Sequence, residues 1–239
     1  MKTILHTADT RGHANHGWLN SYHSFSFAGY HDPERVHFGA LRVLNDDSVA
    51  AGMGFGKHPH DNMEIVSIPL VGDLHHQDST GRDKIIRQGD VQIMSAGSGI
   101  AHSEVNANKD KEVKFLQVWV FPKQRNIEPR YDQKSFDLDQ QKDQIVTVVA
   151  PDDEKAVWIN QDAWFSLARL SAGKQTGYNL HKKGNGVYVF VIDGNISVNG
   201  QQLNPRDGFG IWETDALQIE AASEAQLLLI DVPMEIPGA

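Results

Sequence analysis

The sequence predicts an all-β fold made of two tandem barrels, and three observations carry that reading. Short apolar runs rich in β-branched and aromatic residues recur along the chain, turn dipeptides punctuate them, and the two halves resemble each other. A chain of 239 residues leaves ample material for two compact β-domains.

The runs are FGALRVLN (38–45), MEIVSIPLV (63–71), VKFLQVWVF (113–121), WFSLARL (164–170), VYVFVI (187–192) and QLLLID (226–231), each bounded by turn residues and each too short for a typical helix. Between them STGRD (79–83), Asp193-Gly194 and Asn199-Gly200 read as hairpin turns, the two dipeptides because both residue types accept positive φ. Only residues 130–144 offer room for a short connecting helix. Laying Gly72 on Gly194 sets MEIVSIPLVGDLHH beside NGVYVFVIDGNISV, and QGDVQIM (88–94) then falls near PRDGFGIW (205–212). A duplicated β-unit explains this economically. The polar, proline-bearing stretch 121–134 is the expected boundary, giving an N-terminal domain of residues 1–125 and a C-terminal domain of residues 126–239. The last residues, VPMEIPGA, are expected to run as an extended tail.

With no cysteine in the chain, disulfides, thiolate metal sites and cysteine nucleophiles are excluded. No segment reads as a secretory signal, and no run approaches the roughly eighteen apolar residues of a membrane span, so a cytoplasmic protein without membrane contact is the expectation. A formal net charge of −9 argues against direct nucleic-acid binding. Lys109 to Lys114 does not amount to a basic patch, because Asp110 and Glu112 interleave it.

Chemistry concentrates in two segments, GMGFGKHPHDNME (52–64) and GSGIAHSE (97–104). Side chains alternate along a strand, which predicts that His58, His60, Asn62 and Glu64 share one face and that His102 and Glu104 share another. Gly97 and Gly99 permit the tight turn that brings the second segment against the first. A His-x-His pair meeting His-x-Glu offers three imidazole nitrogens and one carboxylate to a metal ion. Four protein ligands leave coordination positions open, as a catalytic site requires. In the repeat alignment His58, His60 and Glu64 fall opposite Leu180, Lys182 and Gly186, and no histidine follows His181, so one metal site per chain is expected, in the N-terminal half.

These segments resemble the two cupin motifs. Gly52, His58, His60, Glu64 and Gly72 occupy the places of G-x5-H-x-H-x3-E followed by a glycine, with one extra residue before Gly72; the second motif starts at Gly89 and reaches His102, with Gly97 where proline is common. Both departures, and the opening RGHANHGWLNSYHSFSFAGYHDPERVHFGALRVLNDD (11–47), are similar to the pirin branch of the cupins. That resemblance implies a bicupin binding one divalent metal, iron foremost, with manganese, cobalt, nickel, copper or zinc as alternatives, at His58, His60, His102 and Glu104. It also implies activity like that of bacterial quercetinases, which open a flavonol ring with dioxygen and release carbon monoxide. Glu104 is then the expected base, with Glu64 as a second candidate acting through water or by orienting a ligand imidazole. The alternative, drawn from animal pirins, is a metal-binding regulatory or redox-sensing module that works through a protein partner.

Other residues carry blander expectations. Only one of His75 and His76 can face inward, and each reads as a polar strand residue. Trp18, Tyr22, Phe25 and Phe27 are expected to pack on the barrel, with the lining of a planar substrate's pocket as the sharper reading, and His13, His16 and His23 to serve structural hydrogen bonds.

Overall fold

All six apolar runs become strands, because each is a short stretch buried on both faces and bounded by turns: Leu41–Val49, Glu64–Val71, Val113–Val120, Trp164–Leu170, Asn185–Asp193 and Ala225–Pro233. The computed structural model describes residues 1–236, and among these the only helical element is a 3-10 turn at Ala8–Thr10. Pro237 to Ala239, the end of the expected extended tail, lie outside the described residues. The helix allowed for 130–144 does not form. Arg130–Ser135 is a strand that pairs with Asp90–Ser95, held by Gln133 Nε2 donating to Asp90 Oδ2 (2.7 Å) and to the Ile85 carbonyl (3.0 Å), and turns follow it.

Four sheets make two barrels. In the first, a seven-stranded sheet runs Arg130–Ser135, Asp90–Ser95, Glu64–Val71, Val113–Val120, Leu41–Val49, Leu19–His23, Gly12–Asn15. A four-stranded sheet, Gly54–His60, Ile100–Asn106, Leu74–Asp78, Asp83–Ile86, closes over it. The second barrel repeats this order, except that its outermost strand, Val157–Trp158, runs parallel to its neighbour where Gly12–Asn15 runs antiparallel. Its large sheet runs Lys2–His6, Gly208–Trp212, Asn185–Asp193, Ala225–Pro233, Trp164–Leu170, Ile145–Ala150, Val157–Trp158, and its small one Gln175–Asn179, Ala216–Ala221, Ile196–Val198, Gln201–Leu203. Gly72 and Gly194, equated in the sequence, occupy matching turns with φ of 74° and 79°.

The correspondence exposes an exchange. Lys2–His6 adds to the edge of the second barrel's large sheet, and Arg130–Ser135 takes the same edge position in the first. Residues 1–125 and 126–239 therefore do not each own all their strands. An arm laid along an open edge satisfies backbone groups that would otherwise face water or another chain.

The two large sheets pack back to back. Even-numbered residues Val66, Ile68, Leu116, Val118 and Val120 meet Phe165, Leu167, Tyr188, Phe190, Leu228 and Ile230 in one buried core. Each such aliphatic or aromatic side chain contributes about 1.5–3 kcal/mol when fully buried. The odd-numbered residues of the same strands point the other way, into the first barrel. In the second barrel the corresponding interior is filled by Tyr178, Val189, Leu217, Ile219 and Leu229. The polar groups buried there, Asp231 with the Tyr178 hydroxyl and Asn185, bond one another, and no cluster of imidazoles joins them among the described residues.

Candidate metal centre and substrate cavity

Gly54–His60 and Ile100–Asn106 pair antiparallel with His58 opposite His102 and His60 opposite Ile100, and the register slips between His102 and Glu104, so that Glu104 faces Phe55. The slip is an extra residue on the Gly54–His60 strand, a β-bulge, which bends that strand toward its partner. The close approach depends on Gly54. A Cβ there would lie 2.4 Å from both the Glu104 carbonyl oxygen and the Val105 Cα.

Three imidazoles converge as a result. One ring nitrogen from each of His58, His60 and His102 lies within 4.8 Å of the others, and the ring centroids are 4.5 to 5.0 Å apart. His58 Nδ1 donates to the Gly56 carbonyl at 2.7 Å, which leaves its Nε2 lone pair for the shared space. His102 is 2 % exposed, and its Nε2 is a buried nitrogen with no hydrogen-bond partner. Burial, then the neighbouring imidazoles of His102 and His58, push His60 down to about 4; burial and the rings of His58 and His76 push His102 down to about 3. Both stay neutral at ordinary pH, with lone pairs available. An orphaned buried nitrogen among neutral imidazoles fits a metal ion.

Glu104 stands one step back. Its carboxylate lies within 4.8 Å of ring nitrogens of His102 and His76, and its side chain borders the cavity beside His58 and His60. Oε1 accepts from Ser67 Oγ (2.8 Å) and Oε2 from Gln117 Nε2, while Gln117 Oε1 accepts from the Trp119 indole N–H (3.1 Å). The carboxylate is thus fixed in place, with lone pairs to spare.

Glu64 is elsewhere, which corrects the expectation that it shares a face with the histidines. The alternation breaks after His60: Asn62 takes φ of 47° in a turn, and Glu64 opens the next strand at an even position. Its fully buried carboxylate faces the seam between the barrels, where Oε2 accepts from Ser95 Oγ (2.7 Å) and the Asn160 backbone N–H (3.1 Å). Burial raises its pKa against those two bonds.

A cavity of about 500 Å³ opens beside the imidazoles. Trp18, Phe27, Phe55 and Trp119 give it apolar walls, and Ser21, His23, Asn45, Asp47 and Gln117 give it a polar floor. Trp119 also packs edge-on to His60, with centroids 4.9 Å apart. On the floor Ser21 Oγ donates to Asp47 Oδ1 and lies 2.8 Å from His23 Nε2. Burial, with Asp46 and Glu104 nearby, pushes Asp47 up to about 7 against the Ser21 bond.

The N-terminal aromatics divide between roles. Trp18 and Phe27 line the cavity, Phe25 joins the inter-barrel core, and Tyr22 stacks on His13 at 4.5 Å under the Arg11 guanidinium. His16 and His23 border the cavity, whereas His13 bonds Asn20 Oδ1 at 2.6 Å. Asp47, Gln117 and Ser67 went unnoticed in the sequence. For Ser67 and Gln117 the signal was parity, each being a polar residue at an odd position of a strand whose even positions are mainly apolar; Asp47 lies in the polar run 45–48, where no such pattern marks it. His76, completely buried, is the inward member of its pair, while His75 faces Asp83 outside at 2.6 Å.

A bicupin with an imidazole cluster in its first barrel and a largely apolar second one is the class that this fold and site define. The comparisons are specific. The pirin family model matches residues 5–120, and the model described as the quercetinase C-terminal cupin domain matches residues 147–232. The chain is 42 % identical over 229 residues to a quercetin 2,3-dioxygenase of Escherichia coli strain K12, covering 96 % of this chain and 98 % of that protein. It is 41 % identical over 225 residues to a pirin-like protein of Caulobacter vibrioides, covering 93 % and 96 %. The crystal structure of the bacterial pirin YhhW of E. coli in complex with nickel(II) superposes with a TM-score of 0.92 at 39 % identity, over 97 % of this chain and 99 % of that one. The chain belongs to the pirin family.

Proposed function

We propose that this pirin is a metal-dependent dioxygenase that opens the central ring of a flavonol such as quercetin and releases carbon monoxide. The observation that carries the reading is the juxtaposition of the imidazole cluster with a cavity of about 500 Å³ walled by Trp18, Phe27, Phe55 and Trp119. Apolar walls with a few polar groups at one end suit a flat, hydroxylated aromatic ligand. The relatives named as quercetin 2,3-dioxygenases support the same reading.

His58, His60, His102 and Glu104 would hold one divalent ion, with iron first and nickel, the ion in the YhhW complex, among the alternatives. Nitrogen and oxygen donors without thiolate suit these metals. When bound, the ion supplies Lewis acidity toward the substrate's enol oxygen and a template for dioxygen.

The chain's own residues do the rest. Glu104, fixed by Ser67 and Gln117, takes the proton of the flavonol hydroxyl. Asp47, poised near neutrality, and Ser21 accept from or donate to a second hydroxyl on the cavity floor. Trp119 stacks against the ligand and, through Gln117, steadies Glu104. The aromatic walls exclude bulk water from the electron-rich enolate. Glu64, on the far side of the sheet, serves the seam between the barrels.

Purified, metal-analysed protein incubated with quercetin under air tests the reading, with flavonol absorbance and carbon monoxide both followed. Loss of absorbance with stoichiometric carbon monoxide is the expected result. A metal-replete protein that leaves quercetin intact would turn the assignment toward a regulatory module acting through a partner.

A further inference from the structure

Behind His102 lies a chain of buried groups that the proposed reaction does not use. Asp78 Oδ2 accepts from His76 Nε2 at 3.0 Å, and both side chains are wholly shut off from solvent. The other oxygen of Asp78 is pinned by the Thr80 backbone N–H (2.8 Å), Thr80 Oγ1 (2.6 Å) and the Arg82 backbone N–H (3.3 Å). On its far side His76 presents Nδ1 to His102 Nδ1 at 3.4 Å.

We infer that Asp78 and His76 form a relay that sets the tautomer of His102 and makes it the strongest nitrogen donor of the metal site. The inference rests on His102 being a ligand, as proposed above. Each protonation choice forces the next. A carboxylate only accepts, so a neutral His76 carries its proton on Nε2 and offers a bare Nδ1; the facing His102 Nδ1 then carries a proton, which leaves His102 Nε2 as a lone pair. That nitrogen is the buried, unpartnered one, in a ring that clusters with those of His58 and His60. His58, by contrast, is backed only by the neutral Gly56 carbonyl. A carboxylate at the end of an imidazole chain raises donor strength where a peptide oxygen does so weakly. Asp78 and His76 are positioning residues, since they act through His102. The outer face of the same strand supplies a control, because the His75–Asp83 pair is just as close at 2.6 Å but exposed.

The test uses the full-length protein loaded with zinc or with cobalt(II). In the wild type, long-range proton–nitrogen correlation spectra should show His102 bound to zinc through Nε2 with its proton on Nδ1, at one zinc per chain. Asp78→Asn should weaken zinc about 10- to 100-fold in a chelator competition. It should also shift the visible bands of the cobalt form without lowering the unfolding midpoint of the metal-free protein, and His76→Gln should do the same if the Asp78 loop proves needed for folding. Asp83→Asn should change neither affinity nor spectrum. Wild-type zinc affinity and unshifted cobalt bands in both relay variants would overturn the relay. So would two zinc ions per chain, which would make His76 a ligand with His102 and Glu104. The His60→Ala variant separates the two levels: if it keeps zinc, the metal site and the relay fall together, and if it loses zinc while Asp78→Asn does not, the relay alone falls.

Discussion

His58 and His102 are cross-strand partners whose rings meet at 4.5 Å, directly beside the bulge that sets Glu104 against Phe55. The strand register, more than any single ligand, brings the cluster together. Variants that disturb the register without touching a ligand should therefore disturb metal binding.

Gly54→Ala is the sharpest such variant. Its Cβ would lie 2.4 Å from the Glu104 carbonyl oxygen, so the paired strands must separate. A stability loss of about 1–3 kcal/mol is expected, together with weaker metal binding, measurable by chemical denaturation and by metal titration. Wild-type metal affinity in a destabilised Gly54→Ala protein would show that the pairing does not control the cluster.

His60→Ala and Glu64→Gln should behave oppositely. The first removes one of three converging imidazoles and should abolish bound metal and flavonol consumption together. The second alters a carboxylate bonded to Ser95 and Asn160 at the seam, so it should move the unfolding midpoint while leaving metal content intact. Elemental analysis and differential scanning calorimetry of both variants check this.

The metal-free protein should lose stability as pH falls from about 6.5 toward 3. His6, His60 and His102 are pushed by burial to about 4, about 4 and about 3. Between the ordinary histidine value and those depressed ones the unfolded chain binds protons that the folded chain refuses, so their stabilising contribution is complete above pH 6.5 and shrinks on acidification. Denaturation curves across that range measure the slope. His6→Asn should flatten it in part.

Asp47 works with the opposite sign. Its folded value, about 7, lies above the carboxylate reference of 3.8, so its contribution is complete below 3.8 and is lost as pH rises through 7. Asp47→Asn should remove a titration near pH 7 from the pH profile of flavonol binding, followed by quenching of Trp18 and Trp119 fluorescence. A profile unchanged by the substitution would remove Asp47 from the substrate's surroundings.

The barrels were legible in the sequence because their signals are local: six apolar runs, the Asp193-Gly194 and Asn199-Gly200 turns, and a repeat that the matching strand orders reproduce. The His-x-His and His-x-Glu spacings were equally plain, since two-residue alternation holds within one strand. It does not hold across a turn, which is why Glu64 was placed with the histidines when the left-handed Asn62 had already moved it to the other face. The strand at Arg130–Ser135 was hidden for a different reason. Its polar composition lacks the apolar alternation of a core strand, and only pairing with the distant Asp90–Ser95 makes it one. Asp47 and Gln117 escaped notice because a cavity floor assembled from separate strands leaves no contiguous motif.

The reciprocal loan of Lys2–His6 and Arg130–Ser135 ties the two barrels together in addition to their shared core. Neither half could be excised intact at residue 125, because each would lose the edge strand it borrows and carry away the arm that the other needs. The barren second barrel is thereby a structural guarantor of the fertile first one: melting it strips the clasp from the sheet that carries Gln117, Trp119 and Asp47.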